Sequence, residues 1–321
     1  MKTKSEKALI VVVTALPVEF EAVVRHLSSV TTEVGDHGTR YELGKFRNAS
    51  VVIVGTGAGN VDAAIEVETA IARYSPRYLF FVGIAGGIKD VKVGDVVAAT
   101  RIYSYDSGKY DSGRAGGAFL PRPKMGESSH FLVQLAHAVI RSGRWQDQIA
   151  SNSPVPTALV GPIVSGEKVV ASIDAPEVQL IRNTYSDALA LEMEGFGVLR
   201  VGYSREQVRM IVIRGISDLL ANKSQADSAG SQPQASANAA AFAFQMVEVL
   251  LDDSKPIRNE DWQRLENLLV LQYPVGPTDN QIWSRAGGDL STLDLGQTGK
   301  ASWHSAVRSL RLAACGKGEF F

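Results

Sequence analysis

The stretch MIVIRGISDL (residues 210–219) is an apolar run that ends in a hydroxyl and a carboxylate. Its first part, Met210 to Ile213, lacks the alternation of a half-exposed strand and is typical of a strand buried on both faces. Ser217 and Asp218 follow at the predicted carboxyl end of that strand. A carboxylate in such a place must be solvated, paired or used by a ligand, because burying an unpaired charge is costly. Asp218 is therefore our first candidate site residue.

Other apolar runs of the same kind recur along the chain and alternate with helical patterns. They predict strands at residues 8–14, 51–55, 79–82, 96–99 and 211–213. Apolar residues at helical spacing predict helices at residues 18–27, 60–74, 128–141 and 237–251. This order predicts an α/β fold in which helices cover both faces of a largely parallel or mixed sheet. In such folds ligands bind beyond the carboxyl ends of the strands, where Asp218 is expected.

Composition narrows the class of protein. The 33 Lys and Arg residues nearly balance the 34 Asp and Glu residues, which argues against nucleic acid or a membrane surface as a partner. We find no run that approaches the ~20 apolar residues of a membrane-spanning helix. The single cysteine, Cys315, cannot form an internal disulfide, and this usage predicts a cytoplasmic protein. The five histidines lack metal-ligand spacing, so we predict no metal site.

Three glycine-rich segments are predicted to follow strands: GTGAGN (55–60), GIAGGIKD (83–90) and SGEKVV (165–170). Such turns can bring backbone N–H groups close to the oxygens of a ligand. GTGAGN lacks the third glycine of a dinucleotide-binding fingerprint, so we predict no cofactor.

The segment ALALEMEGFGV (188–198) places two carboxylates, Glu192 and Glu194, in apolar surroundings that lead into a helix. Buried carboxylates are costly unless they are paired or hydrogen-bonded. We interpret Glu192 as a surface or helix N-terminal carboxylate and Glu194 as a residue of the site.

Six motifs in this order carry a family resemblance: ALPVEFEA (15–22), GTGAGN, VGIAGGI followed by VGDVV, SGEKVV, LEMEG and RGISD. Between residues 8 and 251 the chain resembles the nucleoside phosphorylase and nucleosidase superfamily, and within it the methylthioadenosine/S-adenosylhomocysteine nucleosidase branch. The resemblance implies a three-layer α/β/α sandwich with a mixed central sheet that cleaves the N-glycosidic bond of a purine nucleoside. It also implies a homo-oligomer, a dimer or larger.

The resemblance assigns roles to the acidic residues. Asp218 would protonate or hydrogen-bond N7 of the departing purine, Glu19 would orient and deprotonate the attacking water, and Glu194 would accept hydrogen bonds from the ribose hydroxyls. Further substrate contacts are implied for Ala85, Gly86, Val169, Val170, Met193, Ser217 and Arg214. Breaking the bond leaves positive charge on the sugar and negative charge on the base, which suits carboxylates at the sugar and an acid at the base.

The choice of nucleophile remains open between water and phosphate. Phosphorylases of this superfamily present arginines to phosphate, whereas this chain has Phe81-Val82 at one expected position and Glu19 at the other. Because a carboxylate repels phosphate, we favour hydrolysis over phosphorolysis. A second alternative is a nucleotide-sensing module that binds without cleaving, but a pure sensor would have no use for an acid at N7.

A basic segment, KYDSGRAGGAFLPRPKM (109–125), departs from the pattern of nucleosidases that accept an apolar 5′-thioether. Its cations, Lys109, Arg114, Arg122 and Lys124, suit phosphate oxygens. We predict a substrate with a 5′-phosphate, such as AMP or ATP. The alternative is an ordinary solvated loop.

The chain is predicted to continue past its catalytic domain. We divide it into a disordered N-terminus (1–7), the catalytic domain (8–252), a linker (253–261) and a small helical domain (262–321). The tail resembles an effector-associated domain, a death-like adaptor module of bacterial defence systems, which implies a protein partner bearing a like module. Its tryptophans are predicted to form its core. The segment ANKSQADSAGSQPQASAN (221–238) is predicted to form a polar, flexible loop that leads into the helix at 237–251.

Overall fold

The computed structural model describes residues 10–35, 38–111, 118–149, 155–170, 172, 174–220, 230–253 and 259–314. The predicted disordered N-terminus, Arg114 and Cys315 lie outside the described residues. The chain divides into two compact units, Met1–Leu251 and Asp252–Phe321.

The first unit contains a ten-stranded mixed sheet. Its strands are β1 (Ile10–Thr14), β2 (Ser28–Val34), β3 (Arg40–Phe46), β4 (Ala49–Gly55), β5 (Tyr78–Gly87), β6 (Val96–Ser104), β9 (Lys124–Glu127), β10 (Ala158–Ser165), β11 (Ala190–Glu192) and β12 (Arg209–Leu219). A separate hairpin pairs β7 (Gly108–Asp111) with β8 (Ala118–Pro121). The helices of this unit are α1 (Pro17–Val24), α2 (Asn60–Tyr74), α3 (His130–Ser142), α4 (Pro176–Thr184), α5 (Gly195–Gly202) and α6 (Ser231–Asp253).

The strand order is β11-β10-β6-β12-β5-β1-β4-β3-β2, with β9 paired to β6. An additional antiparallel pairing of β11 with β5 closes five of the strands into a ring. The ring closes at Gly86 and Gly87 of β5: Gly86 pairs with Leu191 on one side and with Asp218 on the other. The closure therefore brings the ends of β11 and β12 to one place.

The sheet is buried on both faces, as the uninterrupted apolar runs predict. In β1, Val11 and Val13 belong to one apolar cluster, whereas Ile10 and Val12 belong to the other. Helices α2 and α5 pack against the first face, and α1, α3 and α6 pack against the second. This is the predicted three-layer sandwich.

Strand β12 contains an irregularity between Ile216 and Asp218. Ile216 pairs with Ala85 and Asp218 pairs with Gly86, so Ser217 is an extra residue in β12 relative to β5. An extra residue of this kind is a β-bulge, which bends the strand and re-aims a side chain. The strand also continues one residue beyond Asp218, so this residue lies within the strand and not just after it.

Parts of the sequence fold differently from the prediction. GIAGGIKD was expected to be a turn, but β5 continues through its first five residues to Gly87. The antiparallel strands β2 and β3 were not predicted, because β2 is polar and exposed along most of its length. Residues 231–236 were expected in a loop, but α6 already begins at Ser231; residues 221–229 lie outside the described residues.

The second unit is a small helical unit. Its helices are α7 (Asn259–Gln272), α8 (Ile282–Arg285) and α9 (Gly299–Ala314), with short 3-10 turns at Asp279–Gln281 and Leu290–Thr292. Helix α7 begins within the predicted linker, three residues before the predicted domain start at Trp262. Trp262, Trp283 and Trp303 are buried, as predicted for core residues. In the part of the chain that the structure describes, we find no helix both long and apolar enough to cross a membrane.

Candidate active site

A cavity of about 260 Å³ opens where the sheet ring closes. Four acidic residues from different elements line it: Glu19 of α1, Glu192 at the end of β11, Glu194 at the start of α5 and Asp218 of β12. All four are buried, with the most exposed, Glu194, at 8%. A cavity with this concentration of carboxylates is a candidate for acid–base chemistry.

Asp218 presents one oxygen atom to the protein and keeps the other free. The Ser217 hydroxyl donates a hydrogen bond of 2.8 Å to Asp218 Oδ2, and the same hydroxyl lies 3.4 Å from the Ala85 carbonyl oxygen. Asp218 Oδ1 is buried and has no hydrogen-bond partner among the described residues. A Cβ atom added at Gly86 would lie 3.2 Å from Oδ1, so the glycine leaves space in front of this oxygen.

Glu19 is held by the backbone of two elements. Its Oε2 accepts hydrogen bonds from the amides of Ala15 and Leu16, at 2.7 and 2.9 Å. Its Oε1 accepts a bond of 2.8 Å from the amide of Ile84 in β5. The amides just before α1 and the amide of Ile84 in β5 thus fix the carboxylate, which sets its position before any ligand arrives.

Arg214 lies fully buried behind the cavity and links two of the acids. Its Nη2 lies 2.6 Å from Glu192 Oε2 and 3.5 Å from Glu194 Oε2. Its guanidinium carbon lies 3.9 Å from the centre of the Phe81 ring. A Cβ atom at Gly83 would lie 2.1 Å from Arg214 Nη1 and 2.5 Å from Glu19 Oε1, so only glycine fits between them. Arg214 therefore sits among three carboxylates.

The surroundings of Glu194 shift its pKa toward neutrality. Burial raises the pKa of Glu194 to about 7, the neighbouring Glu192 adds to this rise, and Arg214 opposes it. The amide of Gly59 donates a hydrogen bond of 3.2 Å to Glu194 Oε1. A carboxyl group with a pKa near neutrality changes charge in the physiological range, which is common at functional sites.

The structure brings most of the predicted site residues to this cavity. The predicted residues that line it are Glu19, Ala85, Gly86, Val169, Val170, Met193, Glu194, Ser217 and Asp218. Arg214 does not line the cavity but supports it from behind, and Val169 is 63% exposed at its edge. The assigned roles of these residues remain predictions.

The cations predicted to bind a 5′-phosphate are not part of the cavity. Lys109, Arg122 and Lys124 are exposed and absent from its lining, and Arg114 lies outside the described residues. Lys168, which we did not single out, does line the cavity; its ammonium group lies 3.2 Å from Glu177 Oε1. The SGEKVV motif contains Lys168, but nothing in the sequence distinguishes it from a surface lysine.

Glu192 differs in part from our interpretation. It does bond to a helix N-terminus, because its Oε2 accepts hydrogen bonds from the amides of Glu194 and Gly195 at 3.1 and 2.7 Å. It is not a surface residue, since it is 5% exposed and paired with Arg214. The signal that sequence reasoning missed is the pairing with an arginine 22 residues away on another strand.

Among the described residues, no three His, Cys, Asp or Glu side chains lie together in a way that could hold a metal ion. His26 stacks on Phe244 with ring centres 4.4 Å apart, and burial lowers the pKa of His26. His304 lies 3.3 Å from Glu266 in the second unit. Neither histidine lines the cavity.

A three-layer sandwich with an acid-lined cavity at the ends of its strands is typical of an α/β enzyme. The chain belongs to the Phosphorylase superfamily, whose model matches residues 9–250. Among curated proteins, it is similar to the 5′-methylthioadenosine/S-adenosylhomocysteine nucleosidase of Staphylococcus aureus (strain JH9). The two are 28% identical over 189 residues, which is 59% of this chain and 77% of the relative.

Solved structures share the fold. The 5′-methylthioadenosine/S-adenosylhomocysteine nucleosidase of Neisseria meningitidis, in complex with methylthio-immucillin-A, matches with a TM-score of 0.62 and 24% identity, covering 76% of this chain and all (100%) of that one. The native futalosine hydrolase of Helicobacter pylori strain 26695 matches with a TM-score of 0.62 and 21% identity, covering 75% and 98%. At these identities the likeness concerns the fold.

Proposed function

We propose that this chain is an N-glycosidase that hydrolyses the bond between the ribose and the base of a purine nucleoside. The observation that carries the proposal is the single cavity lined by Glu19, Glu194 and Asp218. The similarity to proteins named as nucleosidases and a futalosine hydrolase supports the same reaction class.

Asp218 acts on the base in this proposal. When the bond to N9 breaks, its electron pair passes to the purine, which leaves readily only after protonation. Ser217 holds Oδ2 of Asp218, so Oδ1 carries the proton that is donated to N7. A positioned proton transfer of this kind typically contributes ~10²–10⁴-fold to the rate.

Glu194 acts on the sugar. Its carboxylate accepts hydrogen bonds from the ribose hydroxyls, and its negative charge stabilises the oxocarbenium-like transition state. Met193, the preceding residue, also lines the cavity and provides an apolar contact for the ribose. These functions require the ionised form of Glu194.

Glu19 acts on water. Its carboxylate, fixed by the amides of Ala15, Leu16 and Ile84, accepts a proton while the water oxygen forms a bond to C1′. The products are the free sugar and the neutral purine; Glu19 then releases its proton to solvent, and Asp218 takes one up from solvent. Phosphate is a poor alternative nucleophile because the carboxylate of Glu19 would repel it.

Product chromatography tests this proposal. The wild-type chain is incubated with adenosine, methylthioadenosine, AMP and ATP, each with and without phosphate. We expect adenine and an unphosphorylated C1′ hydroxyl under both conditions. Ribose 1-phosphate, appearing only with phosphate, would instead identify a phosphorylase. Tight binding of every compound without release of base would identify a sensor. Glu68→Gln, which removes only a surface ion pair with Arg205, is the control variant and should give the same products as the wild type.

We also propose that the substrate carries a 5′-phosphate. The support is the basic composition of residues 109–124 and the presence of Lys168 at the cavity. The expected result is a higher kcat/KM for AMP or ATP than for methylthioadenosine, and a loss of that preference in a variant with Arg122→Ala and Lys124→Ala. A strong preference for the thioether in the wild-type chain would refute the idea.

For the second unit, we propose that it recruits a protein partner with a like module, which would make the chain an effector of a bacterial defence system. Helix α7 exposes Leu265, Leu268 and Leu271, an apolar row that supports a protein contact. Light scattering of the full chain should show a smaller assembly for Leu268→Glu with Leu271→Glu than for the wild type. The exposed Gln263→Glu on the same helix is the control.

The defence role and the location need separate tests. We expect bacteria that carry the wild-type chain to resist phage better than bacteria that carry Asp218→Asn, and equal plaque counts would argue against a defence role. We propose a cytoplasmic homo-oligomer, which cell fractionation and light scattering would examine. A monomer at all accessible concentrations, or a chain found outside the cytoplasm, would contradict this.

A further inference from the structure

We propose that Glu192 is a positioning residue that holds the guanidinium of Arg214 away from Glu194 and leaves Glu194 without a close counter-charge. The inference rests on the proposed function for its catalytic consequence, but not for its physical test. Its geometric basis is the unequal sharing of one guanidinium: Arg214 Nη2 lies 2.6 Å from Glu192 and 3.5 Å from Glu194.

Glu192 stays closer to Arg214 than Glu194 does because several elements fix its position. It closes β11, pairs in register with Ser165 of β10, and bonds to the amides of Glu194 and Gly195 at the start of α5. Its side chain is 1% exposed, so water does not compete for Arg214. Charge-assisted bonds of this length are strong when they are buried. Arg214 is also held in place by its contact with the Phe81 ring.

Glu194, in contrast, has few hydrogen-bond donors and no counter-charge nearer than 3.5 Å among the described residues to stabilise its ionised form. The groups that face it are the Gly59 amide from the loop before α2, Arg214 from β12, Glu192 from β11 and Glu19 from α1. The guanidinium of Arg214 thus contacts two carboxylates, Glu192 closely and Glu194 at a longer distance, and Glu19 lies nearby. Accordingly, burial and Glu192 raise the pKa of Glu194 to about 7, although Arg214 and the Gly59 amide lower it.

Removing the charge of Glu192 should release Arg214 toward Glu194. Glu192→Gln keeps an oxygen that accepts hydrogen bonds from the amides at the start of α5. It removes the negative charge beside Glu194 and the ion pair that holds Arg214. An opposite charge within about 4–6 Å lowers a carboxyl pKa by roughly one to three pH units. We therefore expect the titration midpoint of Glu194 to fall by at least about one pH unit in this variant.

The direct test is a ¹³C NMR titration of the full chain labelled at the glutamate carboxyl carbons. Glu194→Gln identifies the resonance of Glu194 by its disappearance. The proposal expects a lower midpoint in Glu192→Gln than in the wild type, and a midpoint near that of the wild type in Glu192→Asp, which retains the charge. Glu68→Gln should leave the resonance unchanged.

A purely structural role for Glu192 gives a different result: lower thermal stability with an unchanged midpoint, which would overturn the proposal. If Glu192→Gln does not fold, a midpoint in Glu192→Asp equal to that of a free glutamate would overturn it, and a retained high midpoint would support it. With adenosine as substrate, the acid limb of kcat/KM should shift to lower pH by the same amount. If the wild type released no base, the proposed function would be wrong. The NMR titration would still test the role of Glu192.

Discussion

Replacing Glu194 with glutamine should stabilise the protein at neutral pH while abolishing its activity. A buried carboxyl group whose pKa is higher in the folded than in the unfolded chain stabilises the fold at low pH, where it is protonated in both states. This contribution is lost as the pH rises through the folded-state pKa, which is about 7 for Glu194. Glutamine is neutral throughout and keeps an oxygen for the 3.2 Å bond from the Gly59 amide.

The magnitude follows from the pKa difference. A shift from 4.5 to about 7 corresponds to about 3 kcal/mol, at about 1.4 kcal/mol per pKa unit. Between pH 5 and pH 8 the stability of Glu194→Gln relative to the wild type should therefore grow by about 2–3 kcal/mol. The weaker 3.5 Å contact with Arg214 is lost at both pH values, and Glu192 still pairs with that arginine.

Urea unfolding followed by circular dichroism, at pH 5 and at pH 8, measures this difference. The control is Glu68→Gln, whose exposed ion pair with Arg205 should give the same offset at both pH values. The reasoning would be refuted if the difference in unfolding free energy between Glu194→Gln and the wild type were the same at both pH values. It would also be refuted if the variant became less stable relative to the wild type as the pH rises. With adenosine as substrate, the Glu194→Gln preparation should release no adenine, whereas the wild type and Glu68→Gln should release it.

Three further variants test the remaining parts of the site. Asp218→Asn should keep nucleoside affinity within a few-fold and lower kcat by ~10²–10⁴-fold; unchanged turnover in a chromatographic assay would exclude this residue from the mechanism. Glu19→Gln should bind the nucleoside but hydrolyse it slowly, and normal release of ribose would remove Glu19 as the base. Gly83→Ala should lower the melting temperature and the activity together, because its Cβ would lie 2.1 Å from Arg214 Nη1; a fully stable, active variant would show that the backbone can move aside.

The sequence predicts the interior of the fold better than its margins. The strand cores at 8–14, 51–55 and 211–213 are recognisable because burial on both faces demands uninterrupted apolar residues. Strand β2 gives no such signal, since most of its side chains are exposed and its pairing with β3 is set by backbone hydrogen bonds. The start of α6 was missed for a related reason: its first residues, beginning at Ser231, are mostly polar and small.

The sequence predicts which acidic residues belong to the site, but not which residues they contact. Glu19, Glu194 and Asp218 come from three distant segments, and spacing alone could not place them in one cavity; the family resemblance supplied that expectation. Glu192 shows what remained hidden, because its pairing with Arg214 depends on two strands reaching the same point in space. Composition alone also could not locate the lysines and arginines of 109–124, because the described ones, Lys109, Arg122 and Lys124, do not line the cavity, and their role at a 5′-phosphate stays a prediction.

The extra residue Ser217 in β12 makes the length of this strand as critical as its composition. Removing a single amino acid between Met210 and Ser217 would turn the acid at Asp218 toward the opposite side of the sheet, because neighbouring side chains in a strand alternate in direction. Deletions here should therefore be tolerated far less well than conservative replacements. Efforts to redesign the substrate range of this protein would do better to vary the edge of the cavity, at Val169, and to leave the chain length of β12 unchanged.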